Sequence, residues 1–451
     1  MPEATLHFPP DFRWGCGTAA HQVEGGNANN DWYAWEQGEG HVYGGQKSGL
    51  ACDWWNKAEA DLELAAAMGQ NAHRLSVEWS RIEPSEGKWD DAAVDRYRRL
   101  LRFMREQGIE PMVTLHHFTT PLWLAERGGW ENPAIIPLFE HFAAKVVESL
   151  GEFCDLWVTI NEPVLYAVLG YVAGGPRSET HHQLTFPPGK HDLDLALKVI
   201  ENLLLGHGAA YYAIHRAQPQ ARAGVAHNMS YYQPLHANSP LDRFVIGQRE
   251  RLMSRSGLDG TLKGLLPRAI GSRRVRELAN TSDFIGLNYY MRSVLTFDSS
   301  NPGTLFTKEV VPAGAEISDL HYGEVYPEGI YHLLKRLGRY GKPIYITENG
   351  IPDADDDRRP AFLITHLRQV WKAVMQNTPV MGYYHWSLVD NFEWAEGWNL
   401  RFGLIEVNPE TQERKLRRSG ELYAEICKTN TLTTEMVQRY TPELMEALFP
   451  G

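Results

Sequence analysis

The sequence is poor in cysteine. Four occur in 451 residues, at Cys16, Cys52, Cys154 and Cys427, and none is spaced as a CxxC pair or a metal knuckle. That excludes a disulfide-stapled class and leaves reduced, buried thiols as the expectation. Long apolar runs are also missing. The least polar stretch, residues 164–175, falls short of the roughly 20 residues a membrane helix requires. The first ten residues lack a basic segment followed by an apolar one, so no secretory leader is expected. Together these absences point to a reducing, cytoplasmic location with no membrane partner. They also leave Asn228-Met229-Ser230 and Asn280-Thr281-Ser282 as chance matches to glycosylation acceptors. Basic residues are outnumbered: 44 Lys and Arg against 56 Asp and Glu give a formal charge of −12. A nucleic acid or an anionic membrane surface is therefore excluded as the main partner. No GxGxxG opens the first unit, no Walker motif occurs, and no low-complexity linker divides the chain.

What remains is an ordinary globular composition, 43% apolar and 22% charged, with a repeating grammar. A short apolar run is followed by a polar loop and then an amphipathic stretch. In one such unit Val94, Tyr97, Leu101 and Met104 fall on one helical face, and Gly108 is placed to end the helix. Met112 to Leu115 then reads as a buried strand, with the polar and aromatic cluster His116-His117-Phe118 directly after it. Asn132 and Pro133 read as the N-cap and first residue of the next helix. Strands are predicted near residues 14–17, 73–76, 112–115, 157–160, 224–226, 284–287, 344–347 and 381–385. Eight such units with helices between them predict a single (β/α)₈ TIM barrel with extended βα loops, spanning residues 1–451 with a C-terminal extension from about 429. In that extension Thr441-Pro442 is expected to open a short helix to Leu448, docked on the barrel. The C-terminal strand ends of such a barrel converge on one face, where its active sites lie.

Two strand ends carry a Glu beside an Asn: Thr159-Ile160-Asn161-Glu162-Pro163 on the fourth strand and Ile346-Thr347-Glu348-Asn349-Gly350 on the seventh. Either Glu alone is better read as a solvated loop carboxylate. The two together, facing one pocket, are what glycoside hydrolysis needs: one carboxyl to protonate the leaving oxygen, the other to attack or stabilise the anomeric carbon. The 14 tryptophans suit sugar stacking, although large cores use Trp as well.

In these motifs the chain resembles glycoside hydrolase family 1. The matching segments run in order through residues 12–25, 74–84, 114–130, 159–163, 286–290, 345–350 and 384–404. The resemblance implies retaining hydrolysis of β-glycosides, with Glu162 as acid/base and Glu348 as nucleophile, their carboxyls about 5–5.5 Å apart. It places Arg74 and Tyr290 beside Glu348, where they would favour its charge. It assigns Gln22, His117, Asn161, Glu393 and Trp394 to the sugar hydroxyls and Trp386 to a stacking floor, with a cis peptide after that Trp. Asn288 would support the nucleophile region and Phe402 the pocket wall. Without the resemblance, His117 reads as a core histidine and Trp386 and Trp394 as core aromatics. Glu393 would repel a sugar phosphate, and the retained Glu162 implies O-glycosides rather than thioglycosides. Unphosphorylated β-glucosides or short β-linked oligosaccharides are thus the expected substrates, with β-galactosides and β-fucosides as side activities. Val164 stands where many members carry Trp, as does Phe118; Val164, Leu169 and Tyr171 are expected on the leaving-group side. His181 and His182 are adjacent, a poor geometry for chelation, and read as a solvated loop, so neither a metal nor another cofactor is expected. The same site used mainly for transfer to another alcohol is one alternative. A non-catalytic sugar-binding barrel is another, and it would need one of the two carboxylates to be missing.

Overall fold

The computed structural model describes residues 4–173, 185–268, 271–301 and 306–448. His181 and His182 lie outside these residues. Eight parallel strands close into a barrel: β1 Arg13–Gly17, β2 Ala72–Ser76, β3 Glu110–His116, β4 Leu156–Asn161, β5 Arg222–Asn228, β6 Phe284–Tyr289, β7 Ile344–Asn349 and β8 Val380–His385. Each pairs with its neighbours in chain order, and β8 returns to β1 through Tyr383 against Trp14 and His385 against Cys16. All eight strand predictions coincide with these strands. The outer helices are α1 Trp54–Ala67, α2 Asp91–Glu106, α3 Ile135–Leu150, α4 Leu193–Ala217, α5 Ser256–Lys263, α6 Pro327–Leu337, α7 Arg359–Met375 and α8 Arg418–Thr429.

Local chemistry sets these boundaries. The Asp90 carboxylate accepts the Ala93 N–H at 3.0 Å and caps α2. Val94, Tyr97, Leu101 and Met104 are all buried on its inner face, and Gly108 ends the turn at φ +74°. The start of α3 differs from the sequence reading. Asn132 turns its side chain onto the Ala134 N–H at 3.0 Å, a local turn that delays the helix to Ile135.

The strand period of two fills the barrel. Ala72 and Arg74 share one face of β2, Met112 and Thr114 one face of β3. Ala72, Met112, Leu156, Val158, Ala226, Phe284, Tyr345 and Tyr384 form a separate apolar cluster in the lumen. Below it, the first residues of β1, β3 and β5 are charged. Arg13 pairs with Glu110, and Arg222 reaches Glu110 and Asp155, each at 3.2 Å. A polar layer lies above the cluster, at the C-terminal ends of the strands.

The chain ends are tied to the barrel base. Thr5–His7 pairs antiparallel with Thr431–Thr433, and the Trp14 indole donates to Asn430 at 2.8 Å. Past that strand, helix Thr434–Tyr440 buries Met436, Val437 and Tyr440. A 3₁₀ turn at Pro442–Leu444 and a last helical turn at Met445–Leu448 follow, and the Leu448 carbonyl accepts from Arg368 of α7 at 3.1 Å. The four cysteines are buried free thiols. Among the described residues no helix is long and apolar enough to cross a membrane.

The loop after β8 carries much of the catalytic face and hangs on one buried ion pair. Asp390, fully buried, accepts both Arg417 Nη atoms at 2.8 and 2.9 Å and the Gly403 N–H at 2.9 Å. Removing one partner of such a pair leaves an uncompensated buried charge. Arg417→Ala is therefore expected to lower unfolding stability by about 3–5 kcal/mol, read as a shift in urea midpoint; a shift under about 1 kcal/mol would contradict the assigned role.

Candidate active site

The polar layer is organised by Arg74, which is 1% exposed on β2. Its guanidinium forks across the barrel. Nη1 donates to Glu348 Oε1, Nη2 to Asn161 Oδ1 at 2.6 Å, and Nε to Thr114 Oγ1 at 3.1 Å. Glu348 ends β7, and its second oxygen accepts the Tyr290 hydroxyl at 2.6 Å. Both oxygens of this buried carboxyl thus face a donor, one of them a cation, which stabilises its negative charge.

Glu162 sits in a different environment. It follows β4 at φ +48° and precedes Pro163, the first residue of the short helix Pro163–Tyr171. A non-glycine residue in this left-handed conformation costs on the order of 1 kcal/mol or more. The turn is held by the Glu162 N–H bonded to the Ala226 carbonyl at 2.8 Å. Its Oε1 accepts from Asn288 at 2.7 Å and Asn228 at 3.3 Å. Asn288 is itself fixed by the Thr347 hydroxyl at 2.6 Å and donates also to Asn161 at 3.2 Å. Neutral amides replace the cation that Glu348 has. Burial, and then the nearby Glu348, push the Glu162 carboxyl up to about 8. Asn288 stands opposite Glu348 in the β6–β7 pairing, as expected, and its amide bonds Glu162.

The remaining predicted residues gather around the same cavity. His117, Asn161, Glu162, Tyr290, Glu348, Trp386, Glu393 and Trp394 all line it. The His117 ring lies nearly parallel to Trp386 at 5.9 Å and to Trp394 at 6.0 Å. Burial and the Arg74 charge hold its imidazole well below the usual range, hence neutral. Gln22, buried beneath, donates to Glu393 at 3.0 Å and to Asn391 at 2.9 Å. The Gln22 Oε1 and His117 Nδ1 atoms are buried with no hydrogen-bond partner among the described residues. Burial and Glu348 push Glu393 up to about 8. The Trp386–Ser387 peptide is cis, and Gly350 is required beside it because a Cβ there would collide with the Trp386 carbonyl. Phe402 packs edge-on against Tyr290 at 6.0 Å and Tyr322 at 5.4 Å, behind the lining rather than in it.

On the expected leaving-group side the helix period decides the outcome. Leu165 and Leu169, four apart, line the cavity with Phe186. Val164 and Tyr171 point to the buried face: Tyr171 packs on Tyr166 at 6.5 Å, and Val164 is 5% exposed within the core. Sequence reasoning missed Asn228, Tyr322 and Glu396, which also line the cavity. Asn228 ends β5 as Asn161 ends β4, a signal that was present but read only as a chance glycosylation match. Tyr322 and Glu396 lie on long loops, where no periodicity marks them.

Among the described residues, one acidic group is close enough to hold a cation: Asp353, Asp355 and Asp357, with carboxylate oxygens within 4.8 Å of one another. It lies on the loop after β7, and Arg358 Nε already stands 3.9 Å from Asp353 and 3.6 Å from Asp357.

A carboxyl whose pKa is higher in the folded than in the unfolded chain destabilises the fold as it ionises. The penalty is absent below the ordinary value of 4.5 and complete above about 8. Glu162→Gln is thus expected to match the parent's unfolding free energy near pH 4 and to exceed it by a margin that grows to about 2–4 kcal/mol at pH 9, read from urea midpoints. A margin that shrinks with rising pH would contradict the assignment.

Comparison with known proteins identifies the family. The model for "Glycosyl hydrolase family 1" matches residues 4–432. A curated β-glucosidase A of Acetivibrio thermocellus is 33% identical, with 94% of this chain and 99% of that protein covered. Among solved structures, a β-glycosidase from Pyrococcus horikoshii superposes with a TM-score of 0.88 at 35% identity, covering 97% of this chain and 98% of that one. A β-glucosidase from Thermotoga maritima in complex with glucoimidazole gives 0.85 at 30% identity, covering 95% and 100%. With two differently held carboxyls at the mouth of an eight-stranded barrel and this family match over nearly its whole length, the chain belongs to glycosyl hydrolase family 1 and is a glycoside hydrolase.

Proposed function

We propose that the protein is a retaining β-glucosidase that hydrolyses unphosphorylated β-D-glucosides, with β-galactosides and β-fucosides as side activities. The observation that carries this reading is the asymmetry of the two carboxyls. Glu348 is bonded to a guanidinium and a phenol, whereas Glu162 is bonded only to amides and retains its proton near neutrality.

In the first step a Glu348 oxygen attacks the anomeric carbon as the glycosidic C–O bond breaks. Glu162 delivers its proton to the leaving oxygen, so an alcohol departs and a glycosyl ester remains. The ester has no charge, so the repulsion that raised the Glu162 pKa is gone. Glu162, now a carboxylate, takes a proton from water as the water oxygen attacks the anomeric carbon and releases Glu348. Asn161, held by Arg74, would contact the 2-hydroxyl, a contact that strengthens in the transition state. The unpartnered Gln22 Oε1 and His117 Nδ1 would accept from sugar hydroxyls, with Trp386 beneath the ring. Glu393 would take the 4- and 6-hydroxyls.

The pocket's charge supports the exclusion of phosphorylated sugars. Its described lining holds four carboxyls and no Lys or Arg, and Arg74 is already committed to Glu348 and Asn161. A phosphate dianion would enter without a countercharge.

Assays on β-glucosides with good and poor leaving groups test the roles separately. Glu348→Ala is expected to lower kcat on 4-nitrophenyl β-glucoside by about 10⁴-fold or more in folded protein; substantial residual turnover would remove it as nucleophile. Glu162→Gln should cost about 10²–10⁴-fold on alkyl glucosides, much less on the activated aryl substrate. The parent's kcat/KM is expected to fall as pH rises through about 8, and the same variant should abolish that fall. Equal losses on both substrates would argue against an acid.

A further inference from the structure

Positive charge is scarce in this chain, yet one stretch concentrates it. Residues 249–277 hold eight Lys and Arg against three Asp and Glu, while the whole chain carries −12. The structure folds this stretch around a cavity of about 260 Å³ that shares no lining residue with the catalytic one. One side of it is a helical turn of π type, Arg251–Arg255, set between the helix Pro240–Glu250 and α5. Widened turns of this kind recur at functional sites. A hairpin, Leu265–Pro267 against Ser272–Arg274, forms another side.

Arg251, Arg255 and Arg268 all line the cavity, and the carboxylates beside them are too few to balance the charge. Asp259, also in the lining, takes Lys263 at 2.7 Å and Arg255 at 3.6 Å. Glu201 takes Arg268 at 3.1 Å and also Arg273. Two carboxylates thus serve four cations, before Arg251 is counted. The Arg255 and Arg268 side chains are half exposed. Hydrated pairs of this kind are weak, and an incoming anion can exchange them. Leu252, Leu265 and Pro267 give the same cavity an apolar side.

We propose that this cavity binds a small phosphate monoester, its phosphate among the guanidinia of Arg251, Arg255 and Arg268 and its carbons on Leu252, Leu265 and Pro267. The planar guanidinium fork matches phosphate oxygens and bonds them in pairs. A phosphate dianion also supplies the charge that two carboxylates leave unbalanced. Pockets for drug-sized ligands begin at roughly 300 Å³, so about 260 Å³ suits an ester of few carbons. The catalytic cavity has no Lys or Arg in its described lining. The ester is therefore a ligand of a separate site and not a substrate.

Calorimetric titration of the whole protein with inorganic phosphate and with glycerol 3-phosphate, at low ionic strength and slightly alkaline pH, tests the proposal. Both should bind saturably at one site, the ester with a Kd at or below about 1 mM and more tightly than inorganic phosphate, because its carbons leave water. Arg255→Gln combined with Arg268→Gln should weaken ester binding at least about tenfold. The urea midpoint and the hydrolysis of 4-nitrophenyl β-glucoside should stay those of the parent, since both side chains are exposed and far from the catalytic lining. Arg439→Gln removes the same kind of charge from the exposed C-terminal helix and should leave the affinity unchanged. No saturable binding, an affinity unmoved by the double variant, or an equal loss in Arg439→Gln would overturn the proposal. Competitive inhibition of glucoside cleavage by the ester would place it in the catalytic cavity and overturn it as well. Binding only to vesicles carrying phosphatidic acid would do the same, making the surface a membrane contact.

Discussion

The catalytic face depends on a single buried guanidinium. Arg74 is the cation whose charge reaches both Glu348 and Glu162; it is bonded to Glu348 and to neither Glu162 nor Glu393. That choice divides the labour. The carboxyl it holds is stabilised as an anion, and the two it does not hold are pushed toward their protonated forms by burial and by the anion beside them. The same fork orients Asn161 and, through it, His117 at 3.3 Å. One side chain on β2 thereby ties together residues of β3, β4 and β7, strands brought together by barrel closure.

This arrangement is costly to the fold, and the scaffold around it is correspondingly stiff. Glu162 sits on a left-handed backbone position, with Pro163 starting the helix that follows. The loop after β8 is pinned from below by the Asp390–Arg417 pair. A rigid frame is what allows neutral amides such as Asn288, itself held by Thr347, to stay aimed at Glu162.

The barrel was legible because its strands are short, apolar and punctuated. Every predicted strand overlaps an observed one, since burial on both faces leaves a continuous apolar run in the sequence. The strand-end motifs around Glu162 and Glu348 were legible for the same reason: a polar residue directly after such a run has to emerge at the barrel mouth. Orientation was less so. Asn288 was expected in the region of Glu348 and stands opposite it in the β6–β7 pairing, yet its amide is aimed at Glu162, a direction that spacing cannot reveal. Val164, Leu169 and Tyr171 were placed on the leaving-group side by the family resemblance; of these the helix turns Leu169 to the cavity, together with Leu165. The start of α3 was misread because Asn132 satisfies a turn as readily as a cap. Tyr322 and Glu396 depend on the path of long loops, for which local sequence carries no period.

The central claim is that Glu348 forms a covalent bond to the sugar and that Glu162 acts twice, first as acid and then as base. Proton NMR of the products of an aryl β-glucoside, recorded from the earliest turnovers with methanol present, tests it most directly. The account predicts β-glucose as the first-formed sugar and methyl β-glucoside as the transfer product, both arising from two inversions at the anomeric carbon. α-Glucose as the first product would mean a single displacement by water, and the division of roles set by Arg74 would be wrong.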